Sequence, residues 1–174
     1  RTFPRAMALV DDAARVGEEG GIVATWLGRT SPPPGEQWRA VQSLAGDAEA
    51  SGADETRARR SARDRGRFTR NFVVQGTAAE WAAAWLADLR GRLAEFPEVD
   101  AAHAAPASGS AFARRPHLAF FLHDEIVVHA PAAQADAVAE AVRAAATAAG
   151  RLLFGTFPLD FPLDLRIGET AEKE

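Results

Sequence analysis

Large apolar side chains recur every four residues over one stretch of the chain, and this repeat limits the fold more than any other feature. The residues on this spacing are Trp81, Trp85, Leu89 and Leu93. A four-residue period places them on one face of a helix, which we predict to run from about Ala78 until Pro97 stops it. The stripe has the character of a core face, so other elements must pack against it.

Three further helices are predicted. A proline at its start and a glycine pair beyond its end bound a helix over residues 4–17. An arginine-rich segment from Thr56 has no helix breaker before Gly66, and Gln75-Gly76-Thr77 then opens the next helix with a capping Thr or a bound anion. A last helix is expected over residues 131–149.

Alternating apolar residues predict strands in two places near the carboxyl end. Residues 118–122 and 126–128 flank a polar tripeptide, His123-Asp124-Glu125, which fits two strands joined by a tight turn. Residues 161–167 alternate as a final strand. Because helices mix with antiparallel strands and no regular βαβ repeat is visible, the sequence predicts an α+β fold.

The remaining segments are expected to be short or irregular. Residues 22–26 resemble a strand, and Leu27-Gly28-Arg29 then makes a turn. A run of prolines follows, and we expect residues 36–56 to form a loop. The Ala, Pro, Gly and Ser content of residues 101–110 is typical of a linker.

Composition excludes several classes of protein. The chain of 174 residues has no cysteine, which removes disulfides, thiolate catalysis and cysteine-ligated zinc. No apolar run approaches the roughly 20 residues that a membrane span needs, so no membrane partner is expected. The chain lacks an initiating methionine and a signal sequence. We therefore expect a fragment of a larger protein.

Charge is distributed unevenly along the chain. The net charge is -4, yet seven arginines fall between Arg57 and Arg70, directly after an acidic stretch. Such a run is compatible with a solvated helix face or with contacts to nucleic-acid phosphates. The charge pattern alone leaves both interpretations open.

The tripeptide at the predicted hairpin tip is the main candidate for chemistry. Two adjacent carboxylates repel each other, and a cation such as Mg²⁺ supplies the missing partner because it prefers oxygen ligands. A simple polar turn explains the same residues. A histidine-ligated metal site is disfavoured, because His103, His117 and His129 show no i, i+4 spacing on a helix.

Three motifs follow one another along the chain, at residues 25–29, 67–80 and 121–127. Together they resemble motifs of family A (DNA polymerase I-like) DNA polymerases. Thr25-Trp26-Leu27-Gly28-Arg29 resembles the pattern Thr-x-x-Gly-Arg of that family. Residues 67–80 resemble its Arg-x-x-x-Asn-x-x-x-Gln-Gly-Thr-Ala-Ala-Asp stretch, and residues 121–127 resemble its palm motif with His-Asp-Glu. The resemblance covers nearly the whole chain. The family includes the bifunctional type that also carries a 3′-5′ exonuclease.

The resemblance implies a role for each matching residue. Asp124 would be one of two aspartates that hold a pair of Mg²⁺ ions, with Glu125 as an auxiliary carboxylate and His123 near the primer terminus. The residues implied to contact the primer-template DNA are Arg29, Arg67, Asn71 and Gln75. Because minor-groove acceptors are nearly the same in every base pair, such contacts would not depend on sequence.

The resemblance also implies what this chain lacks. The strand with the second aspartate and the helix that binds deoxynucleoside triphosphates should lie upstream, so we expect residues 1–174 alone to be inactive. The implied whole is a cytoplasmic, nucleoid-associated polymerase of bacterial DNA replication or repair. The alternative is a non-catalytic DNA-binding or structural remnant of such a polymerase. The sequence does not indicate an oligomeric state.

Overall fold

The protein is an α+β chain in two compact units, as a computed structural model covering residues 3–170 shows. The boundary between the units falls between Ala78 and Ala79. The elements in chain order are α1 (Pro4–Glu18), α2 (Glu36–Ala45), α3 (Gly52–Ala94), α4 (Gly109–Phe112), β1 (His117–Leu122), β2 (Glu125–His129) and α5 (Ala135–Phe154). Among the described residues, no helix has both the length and the apolar character that crossing a bilayer requires.

Helix α1 confirms the helix predicted over residues 4–17 and extends one residue further. Pro4 occupies its first turn, where a missing backbone N–H costs nothing. At the other end Gly20 adopts a φ of 83°, its N–H bonds the carbonyl of Gly17, and the N–H of Gly21 bonds the carbonyl of Val16. These two hydrogen bonds form a Schellman cap, which requires the left-handed backbone conformation that glycine tolerates.

Helices α1 and α3 cross at very short range in the first unit. Thr69 is fully buried there, and its hydroxyl donates to the backbone carbonyl of Ala13 at 2.7 Å. A Cβ added at Gly17 would lie 2.0 Å from the Thr69 Oγ1, and one added at Gly66 would lie 2.9 Å from the carbonyl oxygen of Ala14. The two glycines therefore make the close approach of the backbones possible.

The prediction of a loop over residues 36–56 is wrong, because α2 and the start of α3 occupy most of it. Trp38, Val41 and Ala45 lie on the half-buried side of α2 at helical spacing. The Trp38 indole N–H donates to the Ser61 carbonyl on α3 at 3.2 Å. Tertiary contact with α3 thus stabilises a short helix whose polar composition suggested a loop.

The start of α3 is capped reciprocally. The Ser51 hydroxyl accepts the N–H of Asp54, and the Asp54 carboxylate accepts the N–H of Ser51. The hydrogen bonds from the Ser51 side chain and backbone hold the pKa of Asp54 below its ordinary value. This capping box satisfies donors that the first helical turn leaves unpaired.

Helix α3 continues for 43 residues, so the expected interruption between Gly66 and Thr77 is wrong. Gln75-Gly76-Thr77 lies inside the helix and caps nothing: the Thr77 hydroxyl donates to the Val73 carbonyl one turn earlier. Glycine weakens a helix interior by roughly 1 kcal/mol, and here Gly66 faces α1. The glycines mark close tertiary contacts instead of helix ends.

The second unit is organised around the four-residue stripe of α3. Trp81, Trp85, Leu89 and Leu93 are buried together with Val138, Val142, Ala145, Ala146 and Ala149 of α5. The Trp85 indole N–H donates to the Val142 carbonyl at 3.1 Å. The prediction that this stripe is a core face is confirmed, as is a helix in the region of α5.

The strand predictions are partly right. Strands β1 and β2 form the expected antiparallel hairpin. The segment 161–167 forms no strand in the described part of the chain; its alternating Phe161, Leu163 and Leu165 pack on the core without a neighbouring strand to bond. Residues 22–26 contribute one isolated bridge, Ala24 with Thr30. Residues 101–110 contain two short 3₁₀ turns.

Candidate functional site

The Thr25–Arg29 motif forms a tight turn in the first unit. The N–H of Thr25 bonds the Arg29 carbonyl at 2.9 Å, and the Arg29 N–H bonds the Thr25 hydroxyl at 3.1 Å. Gly28 takes a φ of 87°, which allows its N–H to reach the Thr25 carbonyl at 3.0 Å. The turn fixes the backbone of Arg29, whose side chain is exposed.

This turn docks onto α3 at the motif Gln75-Gly76-Thr77. The N–H of Trp26 donates to the Thr77 hydroxyl at 3.1 Å across 51 positions of sequence. Thr25 is 5% exposed, and a Cβ added at Gly76 would lie 2.5 Å from its Cγ2. Two of the three family-like motifs are therefore in direct contact. Gly76 and Thr77 have a structural task that the sequence did not reveal.

We expect Gly76→Ala to destabilise the protein by about 1–3 kcal/mol, because the new methyl group overlaps the buried Thr25 side chain. The matched control is Gly91→Ala in the same helix, where an added Cβ meets no atom within 4 Å. That substitution should stabilise by roughly 0.5–1 kcal/mol. Urea midpoints of the two variants measure the contrast, and equal shifts of the same sign would contradict it.

Arg67, Asn71 and Gln75 lie on successive turns of α3, as the spacing predicted for a helix. All three side chains are exposed. From Arg67 to Gln75 the helix advances about 12 Å, and the direction of the side chains turns by roughly 80° about its axis. Arg67 is 74% exposed and pairs with Asp64 on its own helix. Gln75 immediately precedes the residue on which the Thr25–Arg29 turn rests, so this end of the row lies beside that turn.

The arginine run does not form one uniform surface. The Arg65 guanidinium is held internally by the carbonyls of Gly21 and Pro32, each at 3.0 Å, and burial lowers its pKa. Arg70 pairs with Asp11 at 3.7 Å. Arg60 and Arg63 are exposed and have no partner among residues 3–170. Arg65 is thus a structural residue, whereas Arg60 and Arg63 carry positive charges that no described residue neutralises.

The hairpin of the second unit ends in a two-residue turn of His123 and Asp124. Leu122 pairs with Glu125 across the turn, and His123 has a φ of 56°. Such a backbone is uncommon for a residue with a side chain and stores strain of order 1 kcal/mol or more. All members of His123-Asp124-Glu125 are exposed. Asp124 makes no ion pair or hydrogen bond with the residues that the structure describes.

The oxygen atoms at the turn are of the type that a hard cation such as Mg²⁺ prefers. Mg²⁺ uses one or two carboxylates, water and substrate phosphates, and Asp124 with Glu125 offers carboxylate oxygens. Over the described residues, no three His, Asp or Glu side chains are arranged to hold a metal ion. Within residues 3–170 the turn therefore offers two carboxylates without a third ligand beside them.

The predicted site residues divide between the two units. Arg29, Arg67, Asn71 and Gln75 belong to the first unit, and His123, Asp124 and Glu125 belong to the second. Comparison with protein-family models, with curated proteins and with solved structures finds no match for this chain.

Proposed function

We propose that this chain is the C-terminal part of a family A DNA polymerase domain, the distal palm and the helices leading out of the fingers. The parent enzyme would add deoxynucleotides to a primer 3′-OH on a DNA template in replication or repair. The observation that carries the proposal is Asp124, an exposed carboxylate at the tip of an apolar hairpin with no partner among residues 3–170. A carboxylate held this way is available to an external cation.

The proposed chemistry assigns separate tasks to the turn residues. Asp124 would hold Mg²⁺ together with a second aspartate supplied by the upstream part of the enzyme, and Glu125 would support it. When bound, the ions would lower the pKa of the primer hydroxyl and neutralise charge that develops on the phosphate. His123 would sit beside the primer terminus, where the strained turn presents its side chain. The strain at His123 is compatible with a functional constraint.

The proposed DNA-binding face lies on the exposed side of α3 in the first unit. Arg67, Asn71 and Gln75 carry hydrogen-bonding groups suited to minor-groove acceptors, which are almost the same in all base pairs. Arg60 and Arg63 are exposed on the same helix and can add phosphate contacts whose strength falls with salt. The face therefore suits an enzyme that must copy any sequence.

Duplex binding by this chain tests the proposed face. Arg67→Ala should weaken its affinity for a primer-template duplex roughly tenfold at low salt, because one charge-assisted hydrogen bond is lost. The loss should be similar for duplexes of different sequence. Fluorescence anisotropy at several salt concentrations measures both the affinity and its salt slope.

Arg90→Ala is the matched control for this experiment. Arg90 is another exposed arginine of α3, and it lies in the second unit. Its removal changes the net charge by the same amount and should leave duplex affinity nearly unchanged. If both variants weaken binding equally, general charge attraction explains the result and the proposed face is wrong.

A further inference from the structure

Two histidines face each other at the open end of the hairpin. His117 and His129 are direct partners in the register of β1 and β2, and their ring centres lie 5.6 Å apart. Directly opposed residues on an antiparallel pair project from the same face of the sheet. They are 12 positions apart in sequence and no helical spacing relates them, so only the strand pairing brings the two imidazoles together.

Each imidazole has a partner at its Nδ1 atom. The His129 Nδ1 lies 2.6 Å from the Ser108 hydroxyl, and the His117 Nδ1 lies 3.4 Å from the Arg115 carbonyl. The ring of Phe112 also stacks on His117 at 4.7 Å between ring centres. A carbonyl partner favours the tautomer with the proton on Nδ1, which leaves Nε2 as the basic nitrogen. Metal-binding histidines typically have this kind of outer partner.

We propose that His117 and His129 bind one Zn²⁺ ion through their Nε2 atoms, with water completing the coordination. Two imidazoles sharing a tetrahedral zinc at about 2.0–2.1 Å place their ring centres roughly 5 Å apart, close to the separation in the unbound hairpin. Imidazole nitrogen suits zinc, whereas Mg²⁺ prefers oxygen. This site is separate from the carboxylates at the hairpin tip and does not depend on the proposed polymerase activity.

Zinc would act here as a clamp between structural elements. It would join the first residue of β1 to the last residue of β2, and through Ser108 and Phe112 it would order the segment that precedes the hairpin. Binding to the folded chain alone would raise the melting temperature by mass action. The metal therefore has a structural effect that can be measured without any enzyme assay.

The test is titration of ZnCl₂ into this chain at pH 7.5, followed by calorimetry and by thermal unfolding. We expect one saturable site per chain. His117→Gln and His129→Gln should each weaken zinc affinity at least tenfold, and Ser108→Ala about tenfold as an outer partner. His103→Gln is the control, because His103 is exposed in a 3₁₀ turn and is not among the residues that contact His117 or His129. The zinc affinity of this variant should equal that of wild type.

A second measurement uses the unaltered chain, so it remains decisive if a variant fails to fold. Zinc should shift the imidazole NMR signals of His117 and His129 and leave those of His103 unchanged. Acidification should weaken zinc binding, because protons compete with the metal for the imidazole nitrogen. Absence of a saturable site, or equal shifts at His103, would overturn the proposal.

Discussion

Trp85→Ala is expected to lower the free energy of unfolding by about 3–5 kcal/mol, the range for truncating a buried tryptophan. Trp85 is 3% exposed, its indole N–H bonds the Val142 carbonyl, and its ring stacks on Trp81 at 5.3 Å between centres. Removing it leaves a large cavity between α3 and α5 and takes away the second donor of the Val142 carbonyl, which lies inside α5. Because domains are typically stable by only about 5–15 kcal/mol, much of the stability would be lost.

Denaturation followed by far-ultraviolet circular dichroism measures this loss without relying on tryptophan fluorescence. Trp26→Ala is the control, since the Trp26 side chain is 69% exposed and its known bond to Thr77 comes from the backbone. Because so little of its surface is buried, that change should cost much less than Trp85→Ala. A similar cost for the two substitutions would mean that the stripe is not the core of the second unit.

The spacing of apolar residues predicted correctly those helices and strands that bury one face against the core. The four-residue stripe gave the core helix correctly because each of its members faces α5. The hairpin was predictable because two apolar runs flank the polar tripeptide His123-Asp124-Glu125, which fits a turn between strands. The structure narrows the turn to His123 and Asp124, with Glu125 as the first residue of β2. In both cases the local pattern and the tertiary contacts agree.

The errors have three separate physical causes. Residues 36–45 form α2 because Trp38 and Gln42 bond α3 carbonyls, a contact invisible in a polar sequence. Gly66 and Gly76 do not break α3, since their lack of a side chain serves contacts with other segments. Apolar residues do alternate over residues 161–167. Alternation shows which side chains face the core, but a strand also needs a neighbouring strand to hydrogen-bond.

The candidate site was predictable in its residue types and less so in its contacts. Sequence singled out Arg67, Asn71 and Gln75, and the structure places all three exposed on one helix. The sequence could not distinguish Arg65, whose guanidinium bonds the carbonyls of Gly21 and Pro32, from the exposed arginines beside it. Nor could it show that Thr25 and Gly76 touch, because that contact joins distant parts of the chain.

In the proposed parent polymerase, Asp124→Ala should reduce Mg²⁺-dependent primer extension by about a thousandfold or more. The proposal assigns Asp124 an interaction with metal that is needed mainly in the transition state, so turnover should fall far more than substrate binding. The side chain is exposed and has no partner within residues 3–170, so its removal should leave the fold intact. Unchanged thermal unfolding and duplex affinity would show that the substitution affects turnover and leaves the fold and DNA binding intact.

The most direct test of the central claim is primer extension by the proposed parent polymerase, comparing wild type with Asp124→Ala and Asp136→Ala. Asp136 is an exposed carboxylate in the first turn of α5, so its removal controls for the lost charge. We predict template-dependent extension by wild type and Asp136→Ala, near-complete loss in Asp124→Ala, and none with the 174-residue chain alone. Full extension by Asp124→Ala, or extension by the 174-residue chain, would contradict the proposal.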